Sequence, residues 1–240
     1  MLIEDYMLGF GKSFLFALAT LVPILNPTAT APIFLSLTEG ASNHTREILA
    51  QKIARSVFLL LTAAMLVGSF VLDFFGISLA IVRVGGGLLV VASAWRLLNS
   101  SDGGMERSAR MAEGFTPEMA KRKAFYPLTF PISCGPGSIA AAITVGASLH
   151  PNMSIAMGAS RMSGAVAGLV VVAFAVFFCF RFAQRLLRPL GETGTVVFLR
   201  LSAFILLCLG VQIVWDGVSE LIIDVIQRAN LALPAVPTAS

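Results

Sequence analysis

Charged residues are scarce in this sequence. They make up 12% of its 240 residues, where a soluble domain carries about 25%. No Asp, Glu, Lys or Arg occurs from Ser13 to Thr38, or from Ala124 to His150, runs of 26 and 27 residues. No long polar segment could hold a separate soluble domain. Cysteine is rare too. Cys134, Cys179 and Cys208 lie in or beside apolar runs and form no C-x-x-C, which argues against a disulfide framework or a zinc site. The two histidines, His44 and His150, stand apart and read as solvated loop residues. No H-E-x-x-H, G-x-S-x-G or Walker motif appears, and no Asp or Glu sits in mid-span as a proton relay. The expectation is a protein that is not an enzyme, with no metal and no cofactor.

Hydrophobic residues are abundant. They account for 57% of the chain, and the mean hydropathy is +0.86. This composition describes an all-α, multi-pass integral membrane protein. The net charge of +4 and the pI of about 9.3 then concern topology, and no nucleic-acid partner is implied. Six spans are expected at about 14–37, 56–72, 76–98, 125–149, 158–180 and 195–215. The N-terminus offers Glu4 and Asp5 before Lys12, and its apolar run is too long for a signal-peptide core. The first segment therefore reads as a retained span. Of the 17 basic residues, 12 fall in the loops after spans one, three and five. The positive-inside rule places those loops in the cytoplasm and both termini outside.

The two longest uncharged runs share a pattern. Residues 23–42 read PILNPTATAPIFLSLTEGAS, and residues 127–148 read PLTFPISCGPGSIAAAITVGAS. Prolines fall at 23, 27 and 32, then at 127, 131 and 136, and both stretches end in GAS. Arg83 in span three and Arg200 in span six form a looser third match. Together these suggest a duplicated three-span unit. An odd number of spans inverts the second copy, giving an inverted 3+3 repeat with broken helices one and four. The chain then divides into a first repeat at 1–98, a cytoplasmic basic loop at 99–124, a second repeat at 125–217 and an extracytoplasmic amphipathic helix and tail at 218–240.

Proline removes an N–H and clashes with the preceding turn, so these runs cannot be plain helices. Backbone groups freed by a break cannot face lipid and need protein or a polar cavity. The candidate site is therefore a midplane substrate site between two breaks. Asn26, Pro27 and Thr28 form one side, with Thr30 adding a hydroxyl. Ser133, Gly135, Pro136, Gly137 and Ser138 form the other. Half-helix N-termini there would offer N–H groups to an anionic or zwitterionic small molecule. Arg83 and Arg200 would point at the breaks or snorkel to the interface, and Asp73 could pair with Arg83. Gly164-x-x-x-Gly168 admits either internal packing or a homo-oligomer. Asp216, Glu220 and Asp224 form an acidic stripe at i, i+4 and i+8, a solvated face or a cation site.

These residues carry a family resemblance. Asn26-Pro27 with Ala31-Pro32-Ile33-Phe34, Pro127-Leu128-Thr129 with Pro131-Ile132 and Gly135-Pro136-Gly137, Arg83 before three glycines, and Arg200 resemble the MarC family of bacterial integral inner-membrane proteins. The likeness covers about residues 13–217. It departs at Thr28-Ala29, where the family often has Asn-Pro-x-Gly, and in the long tail after Trp215. The resemblance implies a six-span inner-membrane protein, distantly similar to amino-acid exporter families. The expected function is a secondary transporter, an exporter of a small metabolite. The alternative is a non-transporting scaffold or partner-binding subunit. Membrane lipid is the implied surrounding in either case.

Overall fold

The computed structural model describes residues 2–38, 41–99, 128–130, 133–149 and 155–232. All regular structure among them is helical. The elements are α1 (Leu2–Leu25), α2 (Pro27–Leu37), α3 (Asn43–Phe75), α4 (Leu79–Asn99), α5 (Pro136–Ser148), α6 (Ile155–Arg181), α7 (Ala183–Leu187), a 3-10 turn (Arg188–Leu190) and α8 (Gly191–Ala232). Five helical stretches are long and apolar enough to cross a membrane, α1 with α2 counting as one. The fourth expected span is not among them: its described helix is the 13-residue α5. The basic loop at 99–124 lies outside the described residues apart from Asn99, as do Pro127, Pro131 and the last residues of the tail.

Large apolar side chains face outward along every long helix. Leu59, Val171, Phe174 and Phe204 are each more than 40% exposed. In water such a surface would aggregate. In a bilayer it is the expected outer face. The inside holds large side chains such as Phe34, Phe180 and Met65, and at the helix crossings small residues let backbones approach. A Cβ on Gly168 of α6 would stand 2.9 Å from Ala17 Cβ on α1, and one on Gly164 would overlap the Phe10 carbonyl. The glycine pair therefore packs α6 on α1, the internal one of the two roles its spacing allowed.

The crossing of α4 and α8 has a two-fold character. A Cβ on Gly87 would lie 2.9 Å from the Gly210 carbonyl oxygen, and one on Gly210 would lie 3.1 Å from the Gly87 oxygen. Each glycine also meets the valine four residues beyond the other, Val214 and Val91. Arg83 and Arg200 do not stand at matching distances from this crossing. Arg83 stands four residues before Gly87, and the position four before Gly210 is Leu206.

The tail also differs from expectation. No break separates span six from residues 218–232, and α8 continues as one helix of 42 residues. Nothing between Gly210 and Ala232 would stop it except Gly217, and Gly217 packs against the Ala80 carbonyl and Val84 of α4. Each acid of the stripe has a local partner: Asp216 accepts from Gln212 at 2.7 Å, Glu220 pairs with Arg83, and Asp224 pairs with Arg228 at 2.8 Å. Among the described residues no group of His, Cys, Asp or Glu is arranged to hold a metal ion.

Candidate functional site

The first helix break is made by one residue. Asn26 has φ +42°, the left-handed region that most side chains avoid and Asn tolerates. It closes α1 by donating its N–H to Val22 O at 3.0 Å. It opens α2 with its own carbonyl, which accepts from Ala29 and Thr30 N–H at 3.1 and 3.2 Å. Its side-chain Oδ1 accepts from Ala29 N–H at 3.3 Å and from the Thr28 hydroxyl at 3.1 Å. Pro27 then occupies the first helical position, where a missing N–H costs nothing. Asn26 thus follows the last residue of one helix, closing it, and is the N-cap of the next.

The second break is built differently. Leu128–Phe130 and Ser133 have the wide π-type turn. Cys134 N–H reaches back five residues to Thr129 O at 2.8 Å, and the Ser133 hydroxyl donates to Leu128 O at 2.7 Å. Two carbonyls in this proline-rich stretch are thereby satisfied without water. Gly135 caps α5 by its carbonyl alone, accepting from Ser138 and Ile139 N–H at 3.0 and 3.2 Å. It has no side chain to complete the cap, and Pro136 is again the first helical residue. The Gly137 N–H has no partner among the described residues.

The two breaks open onto one cavity of about 200 Å³. Asn26 borders it from the first break and Thr30 from α2, Ser133 and Gly135–Ser138 from the second break, and Ser93 and Leu206 from α4 and α8. Ser133 and Ser138 are both almost fully buried otherwise. Thr28 stays outside it, holding Asn26 in place. Pro27 does not border it either, although it starts α2. The reading from residue types did not single out Ser93 and Leu206, which sit in ordinary apolar helices and carry no local signal.

A second cavity, of about 310 Å³, adjoins the first. Ile24 and Gly137 border both. Phe16 and Thr20 of α1, Arg83 and Gly86 of α4, Ala140 and Thr144 of α5, and Ile213 and Asp216 of α8 complete much of it. Arg83 is ion-paired with Glu220, not with Asp73, which is exposed in the last turn of α3. Arg200 belongs to neither cavity. It is exposed and borders a separate hollow with Arg188, Thr193 and Thr195. The site therefore brings together one arginine, not two.

Gly137 is a packing residue as well as a lining one. A Cβ there would overlap Val90 Cγ2 and stand 3.3 Å from the Gly86 carbonyl oxygen. A bulky side chain at 137 would push α5 off α4, so it cannot be used to fill the cavity selectively.

Comparison with known proteins agrees with the resemblance carried by the breaks. The model of the MarC family of integral membrane proteins matches residues 11–222, most of the chain. The inner membrane proteins MarC of Escherichia coli K12, Escherichia coli UTI89 and Shigella flexneri are each 28% identical over 218 residues, covering 90% of this chain and 98% of theirs. No solved structure matches the chain. The chain belongs to the MarC family of integral membrane proteins.

Proposed function

We propose that this MarC-family protein is an inner-membrane secondary transporter of a small metabolite, handled at the cavity where the two helix breaks meet. The observation that carries the reading is that convergence. Two breaks about a hundred residues apart in sequence border a single space beside α4, its wall largely apolar with a few polar groups, Asn26, Thr30, Ser93, Ser133 and Ser138. A structural kink needs no such meeting. The Gly137 N–H and the Ser133 and Ser138 side chains sit where a polar ligand would replace water.

The cavity linings also support an inverted repeat. Passing from the second cavity to the first, the numbers rise along α1 (Phe16 to Asn26) and α4 (Arg83 to Leu97). They fall along α5 (Thr144 to Gly135) and α8 (Asp216 to Leu206). The first two helices therefore run opposite to the last two. The reciprocal Gly87–Gly210 crossing fits a pseudo-twofold axis between α4 and α8. Six crossings with both termini extracytoplasmic agree with the basic loops and with these directions. In that arrangement the Arg83 cavity faces outward and the break cavity faces the cytoplasm. Ile24 and Gly137 stand between them, and alternate opening of the two would carry a solute across. Under the scaffold reading the same space would be filled by protein or lipid and never exchange solute.

A metabolite library read by thermal unfolding of the purified protein tests the proposal. At least one small polar compound should raise Tm in a saturable way, because binding to the native state alone stabilises it by mass action. A library that leaves Tm unchanged, with a partner protein co-purifying instead, would favour the scaffold.

A further inference from the structure

We propose that the hollow bordered by Arg188 and Arg200 binds an anionic phospholipid, with its phosphate on the two arginines and an acyl chain along α8. The proposal does not rest on the transport reading, because Arg188 and Arg200 border neither of the two cavities described above.

Arg200 stands nine residues after the start of α8, about 13 Å from Gly191 by the usual helical rise. It is exposed, and so are Val197, Leu201 and Phe204 on the same stretch of helix. An arginine surrounded by a lipid-facing surface is costly unless an anion or water meets it. Arg188, from the turn before α8, borders the same hollow. Neither guanidinium has a carboxylate or hydrogen-bond partner among the described residues. Two like charges therefore share one space of about 880 Å³, and no acid among the described residues borders it. They repel each other until an anion lies between them.

The wall selects the class of anion. The Gln184 amide and the Thr193 hydroxyl border the hollow with donors to spare, whereas the Thr195 hydroxyl is spent on Gly191 O at 2.6 Å. With the two guanidinium groups these donors suit phosphate oxygens. Leu187, Val196 and Val197 make the wall apolar beside them. The apolar track continues along α8 through Leu201 and Phe204, four and seven residues beyond Val197. Donors at one end and an apolar track at the other fit an amphiphile, and a soluble phosphate would leave the track uncovered. Leu186 and Leu190 are exposed beside Arg185 and Arg188, the mixture expected at the level of lipid headgroups. A zwitterionic phospholipid would bring an ammonium group that both arginines oppose, and a net-anionic one would not. The chain's own segment at 100–127 carries five basic residues against four acidic ones, so it supplies no net counter-charge.

The test uses the full chain in detergent micelles, with dioleoylphosphatidylglycerol, dioleoylphosphatidylcholine and glycerophosphate as probes. Phosphatidylglycerol should raise Tm in a saturable way and stay bound in native mass spectra. Phosphatidylcholine should bind at least about tenfold more weakly, since its ammonium group offsets the charge-assisted contacts. Glycerophosphate, a headgroup without chains, should leave Tm unchanged at the same concentrations. Arg188→Gln combined with Arg200→Gln should abolish the preference for phosphatidylglycerol. Lys at both positions should keep part of it, because the charge remains while the planar fork is lost. Arg96→Gln removes the same charge from an exposed position outside the hollow and should leave the preference intact. The proposal is overturned if the two lipids bind equally, or if the double Gln variant keeps the preference. Glycerophosphate binding as tightly as phosphatidylglycerol would overturn it in favour of a soluble-phosphate site. Failure of wild-type protein to bind either lipid would overturn it too, and Val197→Cys joined to Lys121 by a thiol–amine cross-linker would then name the 100–127 segment as the occupant. The wild-type probe series decides the matter even if a variant fails to fold. Failure here leaves the break cavity standing, because Arg200 does not border it.

Discussion

Gly146→Val should leave almost no folded protein. A Cβ at this position would stand 2.8 Å from the Met65 carbonyl carbon of α3, and closer still to its oxygen. The obstacle is helix backbone, which cannot turn aside as a side chain can. To fit any side chain, α5 must lift from α3. That would open the packing around Met65 and Val145, both fully buried. Overpacking a core costs about 1–3 kcal/mol when side chains can adjust, and a backbone collision belongs at or above the top of that range. Such a cost is a large part of a stability of roughly 5–15 kcal/mol. Gly85 is the internal control. Nothing lies within 4 Å of a Cβ there, so Gly85→Ala should be neutral or stabilising by up to about 1 kcal/mol through helix propensity. The yield of monodisperse protein after detergent extraction, with its Tm, reads both. Wild-type yield and Tm for Gly146→Val would contradict the α3–α5 packing described here.

Asn26→Val should be the most damaging change at the breaks, and Asn26→Gly among the mildest. Asn26 adopts φ +42° and caps α2 with its side chain. A β-branched residue is strained in this region by roughly 1–2 kcal/mol. It also loses a cap contact worth about 1 kcal/mol. Glycine accepts the backbone freely and gives up only the side-chain contact, at a few tenths of a kcal/mol. Alanine should fall between them. Thermal unfolding should therefore rank wild type, Gly, Ala and Val in descending order. Equal stability for Gly and Val would mean that the left-handed turn at Asn26 is not what joins α1 to α2.

Much of this architecture is legible in the residues, for identifiable reasons. The break at Asn26-Pro27 follows from proline chemistry, because Asn before Pro supplies both a left-handed stop and an N-cap. Gly135-Pro136 is legible through Pro136 at the first helical position alone, since Gly135 is extended and has no side chain to cap α5. The matched proline spacing misleads about which prolines break the helix. Pro23 and Pro32 lie inside α1 and α2, whereas Pro136, the counterpart of Pro32, begins α5. The local cap, not the spacing, decides where a helix starts.

The partner of Arg83 could not be read along the chain. Glu220 is 137 residues away, on a face that looks like an ordinary amphipathic surface. Only the crossing of α4 and α8 brings the two together. The same crossing explains why the tail continues the sixth helix: α4 offers Ala80 and Val84 as a surface for Gly217. Arg200 shows the converse. It has the right residue type and depth, yet its helix face turns it away from both breaks. Spacing along one helix says little about which face a neighbour will cover.

The central claim is that the two breaks enclose a space that water can enter. Cysteine labelling at Ser138 tests it most directly, in a chain otherwise freed of Cys134, Cys179 and Cys208. Leu59→Cys on α3 is the comparison. Leu59 is 56% exposed and Ser138 only 4%, so surface area alone predicts faster reaction at 59. A thiol reacts with a small polar reagent as the thiolate, which forms in water and not in lipid. In membranes the account predicts the reverse order: the cysteine at 138 reacts faster than the one at 59, and a bound solute slows it. A cysteine at 138 as inert as the control under every condition would contradict the account, and would mean that the breaks are packed in protein.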